Sequence, residues 1–380
     1  MKRIVSLLFS LICIICLASG VRGADVAASR FTDWDEISYQ PEVAMLVDLG
    51  LISGYSDGSF RPFHCVTRAE IAKVITGLLT DTLPQQTAGR FSDTSGTWAD
   101  PYIQYCADRG IISGDQTGLF RPNDYVTGRE LAKMLLAAVG YQTDRYTGAG
   151  WTAAVDSDAE AAGIYDGFQA DRSRYITREE ACLLINHALQ CSVIAGYDAD
   201  GRPEYVLDDM MSPKTLLEHR FRVMLVSGVV EANAVADLRR AGGKLDGNLI
   251  HIDGYTQDFV VSEQVALDES LLGHKVTVYA RFNQTYNQVF GMPSIRASEV
   301  TATLSSSDEL NVLVEYHAMD LTAETQYYKN LQPDDRSCLD TMEAGDTVTV
   351  VDHEGDGRID VVMVTAAPAG LPAQKRPDAS

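Results

Sequence analysis

An acidic loop in the last part of the chain has residue types and spacing that could hold a metal ion. Residues 352–360 read Asp-His-Glu-Gly-Asp-Gly-Arg-Ile-Asp, with carboxylates at the first, third, fifth and ninth positions and glycine at the sixth. The carboxylates are Asp352, Glu354, Asp356 and Asp360. A calcium loop of the EF-hand type has the same arrangement. However, Met363 stands at the twelfth position, where that loop needs a bidentate glutamate, and two strands rather than two helices are expected around it. The sequence leaves two interpretations open, a calcium site and a polar hairpin turn.

No residue set of a known catalytic type stands out in the sequence. The histidines are dispersed without H-E-x-x-H spacing, there is no G-x-S-x-G motif, and no cysteine has a convincing neighbouring base. We therefore expect a protein that is not an enzyme.

The elements that would carry a binding site are repeated at an offset of sixty residues. Fifteen residues of the first copy recur without a gap in the second, and those of the first copy are Phe31, Asp33, Pro41, Gly50, Ile52, Ser53, Gly54, Gly58, Phe60, Arg61, Pro62, Thr67, Glu70, Ala72 and Lys73. A third, worn copy follows, in which Trp151 precedes Gly167 by sixteen residues and a T-R-E-E stretch begins at Thr177. This copy has lost three residues and the G-x-x-x-G-x-F-R-P element. Repeated units of this kind bury their apolar faces against one another.

Each copy is predicted to fold as a short helix, a glycine loop and a long helix. Thr67, Thr127 and Thr177 are each followed three residues later by glutamate and then by an apolar stripe, which indicates a helix that starts with a capping box. Pro41 and Pro101 suit the first turn of the shorter helices. The loop between the helices is expected to bury its phenylalanine in the core.

The chain ends and the overall composition limit the class of protein. Lys2 and Arg3 precede an apolar run and then small residues, so residues 1–23 are predicted to be a secretory signal peptide. No other stretch could cross a membrane. The net charge of −22 argues against nucleic acid or an anionic membrane as partner. Residues 367–380 are predicted to be a disordered tail.

The seven cysteines do not form a disulfide framework. Two lie in the signal peptide, and the other five are odd in number and widely scattered. We expect most of the five to be buried as small apolar side chains.

After residue 196 short alternating segments separated by turn signals predict β structure. The predicted strands are Arg222 to Val230, Leu249 to Ile252, Asp258 to Val261, Lys275 to Arg281, Val289 to Gly291, Val300 to Leu304, Asn311 to Tyr316, Thr347 to Val351 and Ile359 to Val364. The expected fold is multidomain: an all-α unit of three helix-loop-helix repeats, then a mainly antiparallel, barrel-like β domain. The domain bounds are 28–82, 88–145 and 146–195 for the repeats and 200–366 for the β domain.

The repeats resemble the S-layer homology motif. The residues that carry the resemblance are the phenylalanine and aspartate opening, the G-I-I-x-G type stretch, the G-x-x-x-G-x-F-R-P loop and the T-R-A-E helix start. The family has three consecutive copies on bacterial surfaces, and residues 271–279 resemble part of an uncharacterised domain that accompanies such repeats. The resemblance implies a pseudo-threefold unit that binds secondary cell-wall polysaccharide, often pyruvylated, in grooves between copies. Self-assembly of the chain is left open.

The resemblance also assigns glycan-binding residues. The arginine of T-R-A-E maps to Arg68 in copy one and to Arg178 in copy three, where a guanidinium beside a helix N-terminus suits a sugar carboxylate. In copy two, glycine takes the arginine position and Arg129 stands one residue later, which puts that groove in doubt. Gly54 and Gly114 would let a ligand approach the backbone.

Two tryptophans allow two interpretations. Trp98 and Trp151 could stack on sugar faces or be wedged into the core. With these residues we expect an exported surface protein anchored to the cell wall. The alternatives are an anchored extracellular enzyme that acts on polysaccharide, and a structural subunit of a surface lattice.

Overall fold

The computed structural model describes residues 31–82, 89–261, 271–295, 298–304 and 306–367. The predicted signal peptide and all but the first residue of the predicted tail lie outside the described residues. Within these described ranges, no helix combines the length and the apolar character that crossing a membrane requires.

The first half of the described chain is helical. Its α-helices are α1 Gln40–Asp48, α2 Arg68–Leu79, α3 Asp100–Asp108, α4 Gly128–Ala138, α5 Trp151–Ala161 and α6 Arg178–Gln190. The three predicted capping boxes are confirmed: in each of α2, α4 and α6 the N-cap threonine accepts from the third helical N–H and the glutamate accepts from the threonine N–H. Such a cap stabilises a helix by about 1 kcal/mol, and it fixes where each long helix begins.

The apolar stripes of the long helices share one core. Ile75, Leu135 and Ile185, which occupy equivalent positions, are all at most 2% exposed. Phe60 and Phe120 from the glycine loops join this core at 0% and 1% exposure, as predicted.

Three residues just before the long helices close a ring of backbone hydrogen bonds. Val66 N–H donates to Ile176 O at 3.2 Å, Ile176 N–H to Val126 O at 2.9 Å, and Val126 N–H to Val66 O at 3.1 Å. All three residues are buried, so each bond satisfies polar groups that water cannot reach. Each copy is therefore bonded to both of the others.

The second half is built mainly from strands. A hairpin of β1 Ile194–Tyr197 and β2 Pro203–Tyr205 leads into a closed barrel with the order β3-β4-β5-β7-β6. The barrel strands are β3 Met224–Ala232, β4 Leu249–Ile252, β5 Phe259–Val260, β6 Lys275–Arg281 and β7 Asn287–Ile295. The predicted strands at 249–252 and 275–281 are confirmed at both ends.

A five-stranded sheet follows the barrel, with the order β10-β9-β12-β11-β8. Its strands are β8 Ser298–Leu304, β9 Asp320–Lys329, β10 Gln332–Asp334, β11 Asp346–Asp352 and β12 Arg358–Thr365. The prediction of a strand over residues 311–316 is wrong, because these residues end helix α7 Ser307–Tyr316. The Ser306 side chain caps this helix by accepting from Glu309 N–H, and Leu310 and Val314, four residues apart, are its buried positions.

The cysteines of the described chain are free thiols. Cys106, Cys182, Cys191 and Cys338 are buried, as predicted for most of the set, and Cys65 is half-buried. Burial raises the pKa of Cys182 to about 12 and that of Cys106 to about 11.

The barrel packs against the helical half at α1. Asp48 accepts a hydrogen bond from Gly291 N–H at 2.8 Å through Oδ2, and a Cβ at Gly291 would lie 3.3 Å from Met45 Cβ. Arg220, which precedes the first barrel strand, pairs with Asp81, which follows α2. The barrel therefore has defined contacts with the first repeat.

Candidate functional site

The repeated aspartate at the start of copies one and two shapes the glycine loop. Asp33 accepts from the N–H groups of Phe60 and Arg61, both at 2.7 Å, through its two carboxylate oxygens. Arg61 has a φ of 60°, a left-handed conformation that a non-glycine residue adopts only where other contacts hold it. Asp93 holds the loop of copy two in the same way. This aspartate thus presents the carbonyl oxygen of each buried phenylalanine at a fixed place.

The repeated glycine of each loop, Gly54 or Gly114, lies against an aromatic ring of its own copy. A Cβ at Gly54 would lie 2.6 Å from Phe31 Cε1, and a Cβ at Gly114 would lie 2.7 Å from Phe91 Cε1. These distances are too short for any side chain, so the rings explain why glycine stands there. Approach of a ligand to Gly54 and Gly114 stays a prediction.

At the 3–1 junction, where copy three meets copy one, Arg178 crosses to the first loop. Its Nε donates to Phe60 O at 2.9 Å and its Nη2 donates to Ser53 O at 3.1 Å. The guanidinium carbon lies 4.7 Å from the centre of the Phe60 ring and 5.0 Å from that of Tyr55. Arg178 makes no ion pair with a described residue.

At the 1–2 junction Arg68 repeats these contacts. Its Nε donates to Phe120 O at 2.9 Å and its Nη2 to Ser113 O at 3.0 Å, with the guanidinium carbon 4.4 Å from the Phe120 ring centre. Burial lowers the pKa of Arg68, while the nearby carboxylates of Glu130, Asp124 and Asp115 oppose that shift. The two arginines predicted from sequence therefore occupy equivalent junctions.

The loops at the two junctions differ at several positions, and the first of these directly follows the repeated glycine. Copy one has Tyr55, whose ring also contacts Arg61, with the guanidinium carbon 4.1 Å from its centre. The equivalent residue of copy two is Asp115, which pairs with Arg121 at 2.6 Å. At this position the 3–1 junction thus has an aromatic ring beside Arg178, and the 1–2 junction has a carboxylate. The carboxylate of the first loop, Asp57, stands two residues later and pairs with Arg61 at 2.8 Å.

The 2–3 junction is filled by side chains of the protein. A Cβ at Gly128, the position that Arg68 and Arg178 hold elsewhere, would lie 3.2 Å from the Phe168 ring. Arg129 instead forms a bidentate pair with Asp156, with its Nη2 donating at 2.8 Å. Phe168 is 8% exposed, so it belongs to the interior at this junction.

An ionic network completes the closure of the 2–3 junction. Arg172 pairs with Glu160 at 2.7 Å and lies 3.8 Å from Asp156, and its guanidinium carbon is 4.1 Å from the ring centre of Tyr165. Burial and the Asp156 carboxylate raise the pKa of Tyr165, whose hydroxyl donates to Asp156. This junction therefore has no guanidinium at the position of Arg68 and Arg178, and the aromatic residue of its loop, Phe168, is buried.

The two tryptophans have different environments. Trp98 is 59% exposed, so the interpretation that it is wedged into the core is wrong. Its ring centre lies 6.3 Å from that of Tyr102. Trp151 is half-buried against the core at the first residue of α5, with Lys133 Nζ 5.3 Å from its ring centre. Stacking of either ring on a sugar remains a prediction.

The acidic loop is the hairpin turn between β11 and β12. Asp352 is 1% exposed and accepts four backbone N–H bonds, from residues 354, 355, 356 and 357. Glu354 pairs with Lys275, Asp356 accepts from Arg358 N–H, and Asp360 accepts from His353 N–H. No three acidic, histidine or cysteine side chains in the described ranges are grouped as a metal ion needs. Of the two interpretations these contacts favour the polar turn, and calcium binding by this loop stays a prediction.

Sequence reasoning missed the partners of the arginines. The acceptors are carbonyl oxygens of Ser53, Phe60, Ser113 and Phe120, which no side-chain pattern reveals. Phe168 and Asp156 were missed too, although the glycine at position 128 was a signal that something else fills that space.

The sequence profile of the S-layer homology domain matches residues 30–72 and 90–132. These segments contain α1, the first glycine loop, Arg68 and their equivalents in copy two. The third copy and the β-rich half lie outside the matched residues.

Related proteins match part of the chain. Cell surface glycoprotein 1 of Acetivibrio thermocellus is 29% identical over 126 residues, covering 30% of this chain and 5% of that protein. The surface-layer 125 kDa protein of Lysinibacillus sphaericus is 27% identical over 207 residues, covering 50% of this chain and 17% of that protein. An uncharacterized cell wall amidase of Bacillus anthracis is 32% identical over 87 residues, covering 23% of this chain and 16% of that protein. The alignments thus span less than a fifth of each of these relatives.

The chain contains S-layer homology domains and is a secreted protein of the bacterial cell surface. The matches support cell-wall anchoring of a surface protein.

Proposed function

We propose that residues 31–195 form a pseudo-threefold unit of three S-layer homology copies that anchors the chain by binding an acidic secondary cell-wall polysaccharide. The ligand would place a sugar-linked carboxylate, such as a pyruvate ketal, at Arg178 in the 3–1 junction. The second, weaker position would be Arg68 in the 1–2 junction.

The observation that carries this proposal is the equivalence of Arg68 and Arg178. Each arginine donates from Nε and Nη2 to backbone carbonyl oxygens across a junction. These bonds orient the guanidinium without neutralising its charge. A guanidinium held in this way keeps donors for a planar carboxylate, and bonds to charged acceptors are the stronger kind.

The charge distribution favours the 3–1 junction for an acidic ligand. Tyr55 offers a ring face for a sugar beside Arg178. At the 1–2 junction Asp115 would repel a carboxylate that approached Arg68. The Arg129–Asp156 pair and Phe168 exclude a ligand from the 2–3 junction.

Binding to cell-wall sacculi tests the proposal. The chain without residues 1–23 should sediment with sacculi, and this binding should be lost when the secondary polymer is stripped by mild acid. Binding that survives stripping would contradict the proposal. Arg178→Lys separates the roles of charge and shape: it keeps the charge but loses the fork, so weaker binding is expected.

A matched control is Arg202→Ala, because Arg202 is an exposed arginine of the β1–β2 hairpin far in sequence from the junctions. It should bind sacculi like the parent chain. If Arg202→Ala and Arg178→Ala lose binding equally, the interaction is a general charge effect.

We also propose that the chain is not itself an enzyme, although one observation favours the rival of an anchored hydrolase. Asp253, Glu354 and Asp360 line one cleft of about 470 Å³ between the barrel and the β11–β12 turn. Most glycoside hydrolases use a pair of carboxylates as their catalytic groups. Here each carboxylate has a partner: Asp253 accepts from Val229 N–H, Glu354 pairs with Lys275 and Asp360 accepts from His353 N–H.

Release of reducing ends from purified wall polymer decides between the two roles. We expect no release above that of a heat-denatured sample. Release that disappears in Asp253→Asn or Asp360→Asn would establish the hydrolase.

A further inference from the structure

The strand order of the barrel identifies a face that binds ligands in other proteins. Numbered from its own start, the order β3-β4-β5-β7-β6 is one-two-three-five-four, closed by pairing of β6 with β3. β5 and β7 are parallel, and the other pairs are antiparallel. This is the topology of the oligonucleotide and oligosaccharide-binding barrel, in which ligands bind over the second and third strands and the loop between the fourth and fifth.

The equivalent face of this barrel carries an aromatic platform, which we define as Tyr255, Phe282 and Tyr286. Phe282 and Tyr286 lie on the loop between β6 and β7 and are 41% and 45% exposed. Tyr255 lies on the turn between β4 and β5, with its ring centre 5.8 Å from that of Phe282 and the planes 28° apart. Phe282, which stacks on the half-buried Tyr255, and the exposed Tyr286 four residues later offer flat ring faces to a ligand.

A hydrogen bond joins the two loops that carry the platform, and the exposed residues of the β6–β7 loop are all uncharged. Gln257 Nε2 donates to Gln284 O at 2.8 Å across the gap. Residues 282–286 read Phe-Asn-Gln-Thr-Tyr and are all exposed. Amide and hydroxyl groups beside aromatic faces match the hydroxyl groups and the apolar ring face of a neutral sugar.

The charged groups at the edge of the platform are engaged elsewhere. Arg281 donates through Nε to Phe221 O at 2.9 Å, and Asp258 lies 2.8 Å from His251 Nδ1 through Oδ1. The loop offers no cation for a phosphate backbone, and the net charge of −22 repels one. Of the two ligand classes that this barrel topology binds, an oligonucleotide is therefore disfavoured and an oligosaccharide is favoured.

Tyr255 also lines the cleft of about 470 Å³ described above, which falls in the size range of small-ligand sites. The platform thus continues into a polar pocket lined by Ser227, Asp253 and Lys275, of which Asp253 already accepts from Val229 N–H and Lys275 pairs with Glu354.

We propose that the barrel binds a neutral oligosaccharide on the platform formed by Tyr255, Phe282 and Tyr286, separately from the anchoring site in the helical half. The protein would then hold two different glycans, an acidic one at the repeat junctions and an uncharged one at the barrel.

Titration calorimetry of the chain without residues 1–23 tests the site with cellotetraose, maltotetraose and chitotetraose as neutral probes. At least one should bind saturably. Phe282→Ala combined with Tyr286→Ala should weaken that binding about tenfold, because two ring faces on which a sugar would pack are removed. Tyr316→Ala, which removes an 82% exposed ring on α7, is the matched control and should leave the affinity unchanged.

Three outcomes would overturn the proposal: no binding of any neutral probe, equal binding by the double variant, or tighter binding of tetragalacturonate or single-stranded DNA than of every neutral probe. The double variant should still sediment with sacculi as the parent chain does. Failure of the anchor would appear only in that sedimentation, and failure of the barrel site only in the titration.

Discussion

Arg178 donates from Nε to the carbonyl oxygen of Phe60 at 2.9 Å, so one side chain joins the start of α6 to the loop of the first repeat. Substitution by alanine removes this bond and the bond to Ser53 O. Because bonds from a charged donor contribute about 1.5–3 kcal/mol before exposure is considered, we expect a loss of about 1–2 kcal/mol in unfolding free energy. Sacculus binding should fall more than this instability explains. Urea unfolding and sedimentation of the same variant measure both effects, and a variant that is destabilised but binds normally would show that Arg178 is structural only.

Substitution of Arg129, unlike that of Arg178, is expected to leave sacculus binding intact. Arg129→Ala removes the bidentate pair with Asp156 at a junction that is already closed, so it should cost about 1 kcal/mol of stability and leave sacculus binding unchanged. The same two measurements apply. Reduced binding by a folded Arg129→Ala variant would place the ligand at the 2–3 junction and refute the preference for the 3–1 junction.

The requirement for glycine at position 114 can be tested by a substitution that adds one methyl group. Gly114→Ala puts a Cβ 2.7 Å from Phe91 Cε1 and 3.0 Å from Leu119 O, so overpacking should cost about 1–3 kcal/mol. Phe91→Leu in the same chain should recover part of the loss by removing the ring. Gly150→Ala is the control, since a Cβ there meets no atom within 4 Å. Equal denaturation midpoints for Gly114→Ala and Gly150→Ala would contradict the packing explanation.

Asp352 should matter for the fold and not for calcium. Asp352→Asn replaces one carboxylate oxygen by an amide that cannot accept, inside a turn where four N–H groups need acceptors, so a loss of about 2–3 kcal/mol is expected. Thermal unfolding of the parent chain should be the same with excess calcium and with excess EDTA. A higher melting temperature with calcium, lost in Asp352→Asn, would restore the metal interpretation.

The buried thiols predict how stability depends on pH. Burial raises the pKa of Cys182 from 9.0 to about 12, so the folded state keeps a proton that the unfolded state loses first. The contribution of this thiol is complete below about pH 9 and is lost as the pH rises toward 12, at about 1.4 kcal/mol per pH unit. Cys182→Ala should make the decline between pH 9 and 11 shallower in urea unfolding. An unchanged slope would mean that the thiol is not shielded.

The local parts of the helical half could be predicted from the sequence, because their causes lie within a few residues. A capping box joins positions three residues apart, as in Thr67 and Glu70, and it is confirmed in all three copies. The contacts of Arg178 with Phe60 and Ser53 span more than a hundred residues and end on carbonyl oxygens. The sequence could assign Arg178 only through resemblance to a family.

One incorrect prediction shows where periodicity is ambiguous. Residues 311–316 alternate as a strand does, but Leu310 and Val314 face the interior with helical spacing and Ser306 caps the segment. Trp98 carried no local signal of its 59% exposure, because burial of a large ring is decided by the packing of distant elements. In the acidic loop, the carboxylates have the spacing of metal ligands, yet Asp352 turns inward to the backbone.

The hydrogen-bond ring of Val66, Val126 and Ile176 implies an order of events during export. Ile176 supplies both the acceptor for Val66 and the donor for Val126, so neither can be satisfied while the third copy is still inside the cell. A chain that crosses the membrane from its N-terminus therefore emerges with two unfinished copies. We expect the first two copies to reach their final structure, and the anchor to bind the cell wall, only after the third copy has been exported and has folded against them.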